Sequence, residues 1–195
     1  YRYVHADDFI QPEMMTDIFE EGVDGVYHMG ACSSTTERNI DFLMSNNVEY
    51  SQILFSFCTH YNVPICYASS AATYGAGENG YDDNEDEISK LMPLNAYGYS
   101  KLLFDEWVMS QGKKPSKWYG VKFFNVYGPR QDPSSPYSGV ISIFVDRISR
   151  GKELTVFGDG EQCRDFVYVL DVVNCLILGM EGMHDQSNAR AEVFN

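Results

Sequence analysis

Apolar positions along this chain fall into two rhythms. Four short runs are continuous rather than alternating: YRYV (1–4), GVYHMG (25–30), PICYAS (64–69) and WYGVKFFNVYG (118–128). Runs of this kind, bounded by polar segments, predict strands buried on both faces. Between them lie stretches with helical spacing, which put apolar residues on one face. They are PEMMTDIFEE (12–21), a longer one near 38–60 with Ile40, Leu43, Met44, Val48, Ile53, Leu54 and Phe57, and a third over 96–112. Strand and helix alternating at this scale predict right-handed βαβ units and an α/β fold with a parallel sheet covered on both faces.

Past Gly128 the rhythm changes. Residues 129–139 (PRQDPSSPYSG) are rich in Pro and Ser and predict a loop. A helix near 139–150 follows, then a short strand at 154–158, a glycine turn, a strand at 164–169 and a helix from Asp171. The pattern divides the chain into 1–128, 129–170 and 171–195, without an internal repeat. It opens on YRYVHADD and stops at AEVFN with no closing turn, so the expectation is a fold truncated at both ends.

Ligands of an open parallel sheet sit beyond the carboxyl ends of its strands. Three such ends carry polar clusters: GACSSTTE (30–37), SSAATYG (69–75) and FNVYGPR (124–130). GAGENG (75–80) matches a dinucleotide-type glycine pattern. That pattern must open a helix whose N-terminus meets phosphate. Here the glycines run into YDDNEDE, whose charge repels phosphate, so the segment is read as a loop and DDNEDE (82–87) as its solvated part.

Charge narrows the function classes. The formal net charge is −14, with 28 acidic and 14 basic residues. This argues against nucleic acid or an anionic membrane surface as a partner, while leaving room for one local diphosphate pocket. The five cysteines (Cys32, Cys58, Cys66, Cys163, Cys175) show no paired spacing and read as free thiols of a reducing, cytoplasmic compartment. The four histidines are dispersed, so no metal site is expected. No run of about 18 apolar residues is present.

Tyr97 and Lys101 stand four apart in LNAYGYSKLLFDEW and share one helical face. Two readings fit the pair: a surface contact, or a phenol whose proton is made labile by a fixed ammonium. Taken with SSAATYG, FFNVYGPRQ and FGDGEQCRDFVYVLDV, in that order, YGYSK resembles the extended short-chain dehydrogenase/reductase family, in particular its nucleotide-sugar epimerases and dehydratases. The resemblance implies a Rossmann-like doubly wound sheet, part of a smaller substrate-binding region, and NAD as cofactor, with NADP the alternative. The resemblance does not extend to the family's opening strand, glycine loop and helix or to its C-terminal end, which fits the expectation of a truncated fold. A homodimer through the helices near 38–60 and 96–112 is also implied.

The resemblance implies roles residue by residue. Ser70, Tyr97 and Lys101 would be catalytic. Tyrosine at its ordinary pKa of about 10 is a poor base near neutrality. A nearby ammonium and the positive nicotinamide ring would lower that value. Ser70 would orient the reacting hydroxyl toward Tyr97, and Lys101 would hydrogen-bond the nicotinamide ribose. Asp7, Gly30, Ala31 and Ser33 would line the remainder of the cofactor, while Asn47 would brace strand ends. On the nucleotide-sugar substrate, Asn125 and Arg164 would meet the diphosphate and Phe157 the base. Core packing for Phe157, and ion pairs to Asp165 or Asp171 for Arg164, are the structural alternatives.

The family's dehydratases carry an Asp-Glu pair where this chain has Ala71 and Ala72, which disfavours dehydration. Epimerisation needs no such pair. Residues 31–107 look like ADP-glycero-manno-heptose 6-epimerases. From Gly128 onward the chain looks like UDP-hexose 4-epimerases, and no lysine lies between Lys122 and Lys152 to match the heptose enzymes' second base. The sequence reading ranks the UDP-hexose 4-epimerase first and the heptose enzyme second. A catalytically silent binding or structural subunit of this fold is the alternative from another class.

Overall fold

A computed structural model describes residues 3–135 and 137–185 and the two-residue strand 193–194. The chain forms two compact units, Tyr1–Lys122 with Gly179–Asn195, and Phe123–Leu178. Sequence patterning set the divisions at 128 and 170 instead.

The first unit is built on a sheet of order β1-β2-β3-β6, from β1 (Val26–His28), β2 (Ile65–Ser70), β3 (Trp118–Phe123) and β6 (Val193–Phe194). β1 and β2 pair in parallel, His28 opposite Tyr67, and β3 and β6 pair in parallel, Gly120 opposite Val193. Of the expected strand at 1–4, the first two residues lie outside the described part, while Tyr3 and Val4 precede the one-turn α1 (Ala6–Phe9). α2 (Pro12–Glu20) has proline in its first turn, where the missing N–H costs nothing, and buries Met15 and Phe19.

The long expected helix begins at Ile40. Asn39 caps it by accepting from the Phe42 N–H at 3.1 Å. It runs as α3 (Ile40–Leu43), a wider π segment (Met44–Glu49) and α4 (Tyr50–Tyr61). Asn62 ends it in the left-handed conformation, φ 53°, and its side chain accepts from Ser116 N–H at 2.8 Å, tying the helix end to the entrance of β3. α5 (Ala96–Ser110) starts at Asn95, whose Oδ1 accepts from Gly98 N–H at 2.8 Å.

Between these helices and the sheet lies an aromatic core. Phe55 stands edge-on to Tyr67, Phe104, Trp107 and Trp118. Tyr67 is wholly buried because Gly120 lets its ring lie against β3. A Cβ there would stand 2.4 Å from the Tyr67 Cζ.

The second unit departs from the sequence reading. The apolar run 118–128 is two strands, broken at Phe124, and β4 (Asn125–Tyr127) pairs in parallel with β5 (Phe166–Tyr168) in a separate sheet. No strand forms at 154–158. Leu154, Val156 and Phe157 are exposed, and without a neighbouring strand their backbone groups have no ladder to join. α6 (Val140–Ser149) and α7 (Val169–Asp185) occupy the expected positions. The GAGENG segment is a succession of turns with Gly75, Gly77 and Gly80 at positive φ, and opens no helix.

Candidate active site

At the carboxyl end of β2 the chain turns through a 3-10 segment, Ala71–Tyr74. Ser70 caps it, its Oγ accepting from Ala72 N–H at 3.1 Å. Tyr97 and Lys101 rise from the first two turns of α5 and are buried with Ser70, at 8%, 4% and 7% exposure. The surface-pair reading of Tyr97 and Lys101 is therefore excluded.

Lys101 Nζ donates to the Ala68 carbonyl at 3.0 Å. Burial pulls its pKa down to about 8, while Asp105 and Cys32 work in the opposite direction. Lys101 together with the nicotinamide ring predicts a lowered Tyr97 pKa; the chain's own groups give the opposite net direction. Burial dominates and raises it, the Ser70 hydroxyl facing the phenol pulls it back, and Cys32 adds to the rise. The physical reason is that a phenolate loses water on burial.

Asn47 braces as expected. Its side chain accepts from Cys32 N–H at 2.9 Å and donates to Cys32 O at 3.0 Å, fixing the loop after β1. It also donates to Ser100 Oγ at 2.9 Å, and Ser100 donates to the Tyr97 carbonyl at 2.7 Å. The π segment presents this wholly buried amide, since widened helical turns re-aim side chains at functional positions. Gly30, Ala31 and Ser33 follow β1 in the same loop, and space is open where a Gly30 Cβ would stand. Asp7 is on α1, exposed, 3.5 Å from His5 Nδ1.

Sequence reasoning missed three features. His28 ends β1 beside Lys101, its Nε2 2.7 Å from Ser51 Oγ, and burial with the Lys101 charge lowers its pKa to about 4. Asp105 and Lys122 form a buried ion pair at 2.7 Å. Charged residues inside LLFDEW and WYGVKFF were the available signal, because a lone charge in a buried element demands a partner. Thr35, Thr36, Glu37, Arg38 and Ile40 after β1, with Asn95 and Ala96 at the start of α5, line a cavity of about 420 Å³.

In the second unit, Asn125 is exposed, and its amide donates to the Asp165 carbonyl at 3.0 Å. Phe157 is 82% exposed, which removes the core-packing alternative. Arg164 donates to the Cys163 carbonyl at 2.6 Å, and among the described residues it makes no ion pair with Asp165 or Asp171.

A parallel α/β sheet with polar side chains gathered at its carboxyl edge defines the class of open-sheet proteins that bind nucleotide-type ligands there. Residues 3–195 match the profile of the NAD dependent epimerase/dehydratase family, and the chain belongs to that family. A protein of Fusobacterium nucleatum called ADP-L-glycero-D-manno-heptose-6-epimerase is 46% identical over 165 residues, 80% of this chain and 50% of that protein. The crystal structure of Helicobacter pylori ADP-L-glycero-D-manno-heptose-6-epimerase superposes with TM-score 0.78 at 30% identity, covering 96% of this chain and 57% of that one. The UDP-glucose 4-epimerase of Thermotoga maritima, solved with UDP-glucose, gives 0.75 at 31% identity, covering 89% and 57%. The chain thus spans about half the length of the relatives it matches.

Among the described residues, no helix is long and apolar enough to cross a membrane, and no group of three or more His, Cys, Asp or Glu could hold a metal ion.

Proposed function

We propose that the protein carrying this chain is an NAD-dependent nucleotide-sugar epimerase. The observation that carries the reading is the buried cluster of Ser70, Tyr97 and Lys101 on β2 and α5. The residues fit the cofactor of the family. Gly30 leaves open space, and Lys101 spends one of its three N–H donors on Ala68, leaving two to reach a ribose. The nicotinamide ring, when bound, supplies a reversible acceptor for hydride.

Tyr97, as phenolate, removes the proton of the sugar hydroxyl while hydride leaves the same carbon, so a ketone forms. Ser70 holds that oxygen toward Tyr97. Were the ketone to turn in the site, hydride would return to its opposite face and Tyr97 would give the proton back, inverting the carbon with no net oxidation. Lys101, charged below about pH 8, would offer a remaining N–H donor to the ribose.

For the substrate, identity of 46% to an ADP-heptose 6-epimerase favours an ADP-glycero-manno-heptose over a UDP-hexose, reversing the ranking drawn from the sequence. The second reading, UDP-hexose 4-epimerase, keeps two supports: no lysine lies between Lys122 and Lys152, and the Thermotoga maritima UDP-glucose 4-epimerase is 31% identical. Both substrates should be assayed side by side with the full-length protein. Inversion of the ADP-heptose with no turnover of UDP-glucose or UDP-galactose is expected. Turnover of the hexoses alone would restore the second reading. Absence of bound NAD and of all turnover would point to a silent subunit.

A further inference from the structure

Ser70 is held from both sides by one buried ionic device. Asp105 Oδ2 accepts from Ser69 Oγ at 2.6 Å and from Lys122 Nζ at 2.7 Å. Lys122 Nζ also donates to Thr73 Oγ1 at 2.9 Å, and Thr73 Oγ1 donates to the Ser70 carbonyl at 2.8 Å. Thus the residue before Ser70 and the carbonyl of Ser70 itself lead to the same pair. The Asp105 and Lys122 side chains are 0% and 1% exposed.

Asp105 lies four residues beyond Lys101 and eight beyond Tyr97, on the same face of α5. We infer that Asp105 and Lys122 are positioning residues that register the Ser70 turn of β2 against the helix carrying Tyr97 and Lys101. The inference rests on the epimerase reading for its catalytic consequence, not for its geometry.

A pair kept only for stability would be an odd choice. Burying two charges is expensive, and well-packed apolar residues of similar size are often as stable or more so. The pair instead delivers directed hydrogen bonds to two hydroxyls, which an apolar pair cannot do. Transition-state geometry is sensitive to displacements of about 1 Å, which can cost about 10²-fold in rate.

The test uses the full-length protein with the double substitution Asp105→Leu, Lys122→Met, and separately Thr73→Val and Thr73→Ser. Thermal midpoint, kcat and KM, and amide hydrogen exchange of the peptide spanning Ala68–Tyr74 are measured. Expected for the double variant is a midpoint near the parent's, kcat lower by about 10²-fold, KM within about twofold, and faster exchange confined to the Ser70 turn. Thr73→Val should move kcat and exchange in the same direction, and Thr73→Ser, which keeps the hydroxyl, should restore both.

Parental kcat in the folded double variant would overturn the inference, as would unchanged exchange in it. If the double variant does not fold, equal kcat in Thr73→Val and Thr73→Ser overturns it. If the parent turns over no nucleotide sugar but exchange at the Ser70 turn rises as expected, the positioning stands and the epimerase reading falls.

Discussion

In the proposed mechanism Tyr97 is the acid–base residue, and its burial opposes its ionisation. Burial raises its pKa, and the Ser70 hydroxyl pulls it back. Removing the hydroxyl while keeping the ring isolates its role. Tyr97→Phe should cut turnover by about 10²- to 10⁴-fold and leave cofactor affinity unchanged, as read by steady-state kinetics and NAD titration. His28 provides a separate pH signature. Its folded pKa of about 4 lies below the ordinary 6.5, so the unfolded chain binds the extra proton between those values. Its contribution is fully present above pH 6.5 and is lost as pH falls toward 4, amounting to about 3 kcal/mol over the window. In urea unfolding from pH 7 to 4, His28→Gln should lose less stability than the parent. An identical slope for the two proteins would remove His28 as the source.

At the scale of elements, α5 does most to build the site. Asn95 starts it, Tyr97 and Lys101 occupy its buried face, and Asp105 fastens its middle to β2 and β3 through Ser69 and Lys122. Gly98 sets how closely its first turn approaches the Ser70 turn. A Cβ there would lie 2.7 Å from the Ala72 carbonyl oxygen and 2.9 Å from Pro93 Cβ. Gly98→Ala therefore trades a gain in helix propensity of about 1 kcal/mol against overpacking of about 1–3 kcal/mol. The expected outcome is a small net loss of stability and a clear loss of turnover, measured by thermal unfolding and kcat. A variant as active as the parent would show that this approach is not critical.

At the scale of the whole molecule, the chain carries two units with different chemistry. The first holds the Ser70, Tyr97 and Lys101 cluster. The second presents Asn125, Phe157 and Arg164 in exposed positions, the guanidinium without a carboxylate partner among the described residues. A free guanidinium suits a diphosphate, and a charge-assisted hydrogen bond is worth about 1.5–3 kcal/mol. Arg164→Ala should weaken nucleotide-sugar binding by about that amount and spare NAD affinity, with calorimetry on the full-length protein as the check. Equal loss of both affinities would mean a general structural defect.

What the sequence determined by itself is local in origin. Helical periodicity and the shared face of Tyr97 and Lys101 depend on neighbours within about one turn, so the residue order contains them. The same holds for GAGENG, where the acids that follow ruled out a phosphate loop. Tertiary structure decided the rest. The run 118–128 could not reveal that it serves two sheets, because an apolar strand fits either until its partner is known. The partners of Asp105 lie 36 and 17 residues away, and Thr73 meets Lys122 across 49. The sign of the Tyr97 shift, expected downward, came out upward in the chain by itself, since spacing brings an ammonium near a phenol but only packing sets how much water the phenol loses.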